Sequence, residues 1–108
     1  MPNQGRKEEV TMEIKIKSLK FDADQKLIAY VEKKVSKLEK FHDHVSEVEV
    51  ILTLLREPEN KNVKIQIHAP GEDFIIERNA KTFEEAVTES VDAMKEKLTR
   101  AKEKRNEA

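Results

Sequence analysis

Two imidazoles lie close together in His42-Asp43-His44. A pair at that spacing can bind zinc, with Asp43 or a distant carboxylate assisting, but zinc needs a third protein ligand and usually a fourth. None stands out in this sequence. The competing reading is a helix C-terminus, where histidine complements the helix dipole. His68 falls on the polar side of an alternating segment and reads as a surface residue. Nucleophilic and phosphate-loop chemistry find no support, because cysteine is absent and Gly5 and Gly71 are the only glycines. Carboxylates are plentiful but mixed with bases, so no acid–base pair can be singled out. The expectation is a protein with no catalytic residues, no metal site and no cofactor, and therefore not an enzyme.

The basic residues carry a stronger pattern. In and just before Tyr30–His44, YVEKKVSKLEKFHDH, the residues Ile28, Val31, Val35 and Leu38 recur at helical spacing and form one stripe. Lys26, Lys33, Lys37 and Lys40 form a second stripe nearly opposite, with Lys34 on the flank. Near the C-terminus Lys97, Arg100 and Lys104 form another ridge beside an apolar stripe. If the two helices pack side by side, these ridges border one groove that attracts phosphates, with an affinity that falls steeply with salt. The alternative is a solvated face laced with ion pairs four residues apart. The first helix fits that poorly, since Glu32 meets Ser36 at that spacing and Lys33 meets Lys37. Both readings stay open at this level. No aromatic-rich strand motif is present for stacking single-stranded bases, so structured RNA, contacted through backbone and shape, is the expected nucleic acid.

Bulk composition sets the frame for these elements. The chain has 108 residues, 37% hydrophobic and 40% charged, with a formal net charge of −1. That length suits one domain with a modest core. Near-neutrality argues against a uniformly basic binder, but the charge is polarised. Lys26–Phe41 holds five lysines against two glutamates, Lys95–Ala108 holds six bases against three glutamates, and Thr82–Asp92 has four acids and no base. No run approaches a membrane span and no apolar signal block opens the chain, so a cytoplasmic protein with no membrane partner is expected.

The elements follow from periodicity and turn chemistry. Residues 1–11 are expected to be a flexible extension, 12–105 a single domain and 106–108 a disordered tail. Met12, Ile14 and Ile16 alternate with charged residues as a half-buried strand, with a bulge or strand end at Ser18. Asp22 or Asp24 caps a helix over about 24–41. A strand at 46–55 places Val48, Val50, Leu52 and Leu54 on one face, and Val63, Ile65 and Ile67 mark a third strand. The turn at Ala69-Pro70-Gly71 leads to a fourth strand near 73–80, with Phe74 and Ile76 inward. Thr82 and Glu85 have capping-box spacing and start the last helix. The order is β-α-β-β-β-α, an α+β fold. Its four-stranded sheet is mixed, with the first two strands parallel and both helices on one face.

That order, the segment Tyr30–Phe41, the Ala69-Pro70-Gly71 turn and the basic last helix resemble the ribosome hibernation promoting factors. This family is also called ribosome-associated inhibitors or sigma-54 modulation proteins. The resemblance covers about 12–105, and the first-helix segment is its most specific part. It implies a double-stranded-RNA-binding-like fold that docks on the small ribosomal subunit and its 16S-type rRNA. There it would occupy the channel of mRNA and of the A- and P-site tRNAs, inhibiting translation in stationary phase or stress. It implies no small-molecule substrate. Lys34, Lys37 and Lys40 match first-helix RNA contacts, and Arg100 and Lys104 match second-helix ones. Lys33 and Lys97 join them as RNA-binding candidates from the charge pattern. Ala93 and Glu96 stand where many relatives carry Lys and Arg, and Phe83-Glu84 replaces a frequent Met-Tyr pair. The chain resembles the short form, which implies that ribosome dimers would need a separate dimerising factor. The rival expectation is a protein-interaction domain that dimerises through its open sheet face at Ile51, Leu55 and Ile75.

Overall fold

The alternation at Ile14 and Ile16 produces strand β1, Glu13–Leu19. The structure is a computed structural model and describes residues 13–41, 47–56, 58, 60–69 and 71–107. The expected bulge at Ser18 is not there. Ser18 keeps the half-buried side of Ile14 and Ile16, and Leu19 stands 48% exposed. The strand end falls at Leu19, as one of the two expectations had it. Lys20 turns the chain with a φ of 70°, a left-handed conformation uncommon outside glycine. Phe21 comes next and packs against the core, its ring stacked on Phe83 at 4.6 Å between centroids.

Helix α1 covers Gln25–Ser36 and then tightens into a 3₁₀ segment over Lys37–Phe41. Asp24 is the cap, its carboxylate accepting the Leu27 N–H at 2.8 Å. Asp24→Ala is expected to cost about 1 kcal/mol. Urea denaturation checks this, and an unchanged midpoint would show that the cap contributes nothing. The buried stripe is Leu27, Val31, Val35 and Leu38. Ile28, expected in that stripe, is half-buried, and Leu27 takes its place. The helix is rolled toward its Tyr30 flank, which brings Leu27 inward and turns Ile28 out.

Strands β2 (Glu47–Leu54), β3 (Lys61–Ala69) and β4 (Glu72–Ala80) complete a sheet of order β1-β2-β3-β4. β1 and β2 are parallel and the other pairs antiparallel, as the intervening helix and short turns require. The Leu55 N–H donates to the Asn60 carbonyl at 2.7 Å across the β2–β3 turn. Gly71, between β3 and β4, has φ of +81°, the conformation that the third position of a type II turn demands. The inward side chains Val48, Val50, Leu52, Val63, Ile65 and Ile67 have no exposed surface. Phe74 is buried beside them and Ile76 half-buried.

Helix α2 runs Phe83–Glu107, past the expected domain boundary at 105. The Thr82 hydroxyl accepts the Glu85 N–H at 3.0 Å at its start. Phe83, Ala86, Val87, Val91, Met94 and Leu98 form its buried side. It packs on β3 and β4, while α1 packs at the β1 end, so both helices share one face of the sheet. Among the described residues no helix is long and apolar enough to cross a membrane.

The other face is polar. Lys15 pairs with Glu47 at 3.3 Å, Lys17 with Glu49 at 3.0 Å, and His68 with Asp73 at 3.1 Å. The Lys17 ammonium holds the Glu49 carboxyl below its ordinary pKa, and Glu47 holds that of Lys15 above its own. Ile51 and Leu55 are half-buried, and Ile75 is 45% exposed. Leu19, the other exposed apolar residue, sits on the opposite edge strand. Ion pairs lie between them, so among the described residues Leu19 and Ile75 are separated apolar points on this face.

Candidate nucleic-acid interface

The lysines of α1 take their positions from two local events. The first is the switch to 3₁₀ geometry. The Lys37 N–H bonds back to the Lys34 carbonyl, and residues three apart eclipse each other in a 3₁₀ turn. Lys40 therefore stacks over Lys37, where a continued α-helix would have carried it further round. Leu38 remains aimed at the core with no exposed surface. The Ser36 hydroxyl donates to the Lys33 carbonyl at 3.0 Å in the last helical turn.

The second event is the contact between the helices. The Tyr30 hydroxyl and the Thr88 hydroxyl lie 3.0 Å apart in a hydrogen bond. The Lys34 ammonium sits 5.6 Å from the centre of the Tyr30 ring, a cation–π arrangement. This fixes which flank of α1 faces α2. On the helical wheel Lys33, Lys34 and Lys37 cluster around Tyr30, whereas Glu32 and Glu39 fall on the opposite flank. The acids and bases of this helix are thus sorted to different sides. Lys33, Lys37 and Lys40 are exposed and have no carboxylate partner among the described residues. Tyr30→Phe removes the interhelical bond and is expected to cost about 1 kcal/mol. Thermal denaturation checks this, and a variant as stable as the parent would show that apolar packing alone holds the helices together.

On α2 the structure departs from the expected single groove. Lys97 donates to the Ile75 carbonyl at 3.1 Å, and Arg100 lines a cleft with Ile76 and Arg78 of β4. Lys104, one turn beyond Arg100, follows the same flank. That flank borders the edge strand, on the side of α2 away from α1. The residues that follow Thr88 at heptad spacing, and so face α1, are Lys95 and Lys102. Both are half-buried. The α1 flank that carries Lys33, Lys34, Lys37 and Lys40 therefore borders the groove between the helices opposite the α2 flank of Thr88, Lys95 and Lys102, where Lys95 also pairs with Asp92 at 3.8 Å. The heptad row Thr88-Lys95-Lys102 is visible in the sequence, but only the Tyr30 contact tells which flank it occupies.

The metal reading of His42 and His44 lies outside the described residues. Among the described residues no group of three or more His, Asp or Glu is placed to hold a metal ion. His68 is on the open face with Asp73, a surface residue as expected.

Residues 14–106 match the family model described as "Sigma 54 modulation protein / S30EA ribosomal protein". The chain belongs to this family. A ribosome hibernation promoting factor from Azotobacter vinelandii is 27% identical over 96 residues, which is 89% of this chain and 88% of that protein. The fold is also that of the N-terminal domain of Thermus thermophilus Protein Y, with a TM-score of 0.72 at 24% identity. The match covers 82% of this chain and 98% of that one. A ribosomal subunit interface protein from Coxiella burnetii gives a TM-score of 0.76 at 19% identity, over 84% and 98% of the two chains. This sigma 54 modulation / S30EA family member thus has the β-α-β-β-β-α architecture of those domains, with its basic groove on the helical side of the sheet.

Proposed function

We propose that this protein is a ribosome hibernation factor. It binds the small ribosomal subunit through rRNA in the channel of mRNA and of the A- and P-site tRNAs, and it inhibits translation in stationary phase or stress. The observation that carries this reading is the groove between the helices. Lys33, Lys34, Lys37 and Lys40 crowd the α2-facing flank of α1, across from Lys95 and Lys102. Family membership and the names of the relatives point to the ribosome as the partner.

The groove presents ammonium groups with little to read base edges, so it recognises phosphate backbone and the shape of folded RNA. The protein acts by occupying a site, and no catalytic step is needed. Co-sedimentation with purified small subunits tests the proposal. With about four phosphate contacts from the α1 lysines alone, affinity should fall roughly a hundredfold or more between about 50 and 200 mM salt. Failure to bind subunits, or binding indifferent to salt, would overturn it.

A further inference from the structure

The outer flank of α2 holds a second basic site that the groove does not use. Arg78 from β4 and Arg100 from α2 line a cleft of about 250 Å³ whose other walls are Ile76, Ala93, Glu96 and Lys97. Ala93 contributes only a methyl group, which leaves the cleft open between helix and strand. Each charged side chain here has an anchor. Arg78 donates to the Glu77 carbonyl at 2.8 Å, Lys97 to the Ile75 carbonyl at 3.1 Å, and Arg100 to Glu96 at 2.9 Å. Lys97 thus satisfies a carbonyl of the sheet's edge strand while holding its charge at the mouth of the cleft. Arg78, Lys97, Arg100 and Lys104 against Glu96 leave a local excess of positive charge.

Guanidinium groups present planar forks that match phosphate oxygens, and two of them converge on this cleft. The Arg100–Glu96 pair is exposed on both sides, so it contributes little by itself and gives way to a stronger anion. We propose that this cleft seats a backbone phosphate of a second RNA segment, so that α2 lies between two stretches of RNA, one in the groove and one along β4. The inference rests on the proposed function. It adds Arg78 as a contact and gives Lys97, Arg100 and Lys104 a binding site separate from that of the α1 lysines.

The test is the binding of the full chain to purified small subunits across a salt series, comparing the parent, Arg78→Gln plus Arg100→Gln, and Lys37→Gln plus Lys40→Gln. The arginine pair is expected to weaken binding about tenfold and to lower the salt slope by about 1.4–1.8, as two lost phosphate contacts predict. Its loss should add to that of the lysine pair, because the two sites lie on opposite flanks. Both arginines are exposed, so the melting temperature should hold. A second measurement uses the absence of cysteine in the natural chain. Iron tethered at Ala93→Cys should cut rRNA at a segment different from that cut from Ser36→Cys on α1. Parent-like affinity and slope in the arginine variant, or cleavage of one common segment from both positions, would overturn the second contact and leave the groove reading intact. Absence of subunit binding by the parent chain would overturn both.

Discussion

Lys37→Glu with Lys40→Glu is expected to lower affinity for small ribosomal subunits by about a hundredfold or more at physiological salt. The two side chains eclipse each other in the 3₁₀ turn and are exposed, so they meet the same stretch of RNA backbone. Losing two phosphate contacts lowers the salt slope by about 1.4–1.8 and costs roughly tenfold. Reversal adds two carboxylates facing phosphates inside a Debye length of about 8 Å, where repulsion is barely screened. The fold should survive, since neither lysine has a carboxylate partner among the described residues and both lie outside the core. Co-sedimentation against the parent, with circular dichroism as the fold control, reads the result. Undiminished binding by a folded variant would remove the groove as the RNA surface.

Leu38→Ala is expected to cost about 2–5 kcal/mol of stability, the range for emptying a fully buried leucine site. That is a large part of the roughly 5–15 kcal/mol that holds a domain of this size. Leu38 has no exposed surface and belongs to the one core that both helices and the sheet share. It also anchors the 3₁₀ segment that carries Lys37 and Lys40. Short 3₁₀ turns have poor intrinsic hydrogen-bond geometry and rely on such packing. The useful control is Ile65→Ala, equally buried but in the centre of β3. Both variants should melt earlier. Well below their melting temperatures, Leu38→Ala should also bind subunits more weakly, whereas Ile65→Ala should bind as the parent does. Equal binding by the two would separate the lysine row from its leucine anchor.

Much of the fold was legible without coordinates, for particular reasons. Ile14, Ile16 and the Val48–Leu52 and Val63–Ile67 alternations can bury one face only as strands, and Thr82 and Asp24 sit where a helix start needs an acceptor. The 3₁₀ switch at Lys37 was less legible, because three- and four-residue spacings fit Val35, Leu38 and Phe41 equally well. The role of Lys20 was hidden too, since lysine carries no signal for a positive φ. Leu27 and Ile28 are adjacent and both apolar, and the roll of the helix decides which one enters the core.

For the candidate site the division falls on rotation. The sequence by itself determined that α1 carries a lysine-rich flank, that α2 carries basic ridges, and that the chain is β-α-β-β-β-α. Those properties depend on spacing along one element. Which α2 ridge faces α1 depends on how two helices are rolled against each other and against the sheet. That roll is set by contacts distant in sequence, the Tyr30–Thr88 bond and the Lys97 reach to β4. Only the tertiary structure could assign Lys95 and Lys102 to the groove and group Lys97, Arg100 and Lys104 with Arg78. Periodicity gives angles within a helix, and packing alone fixes where those angles point.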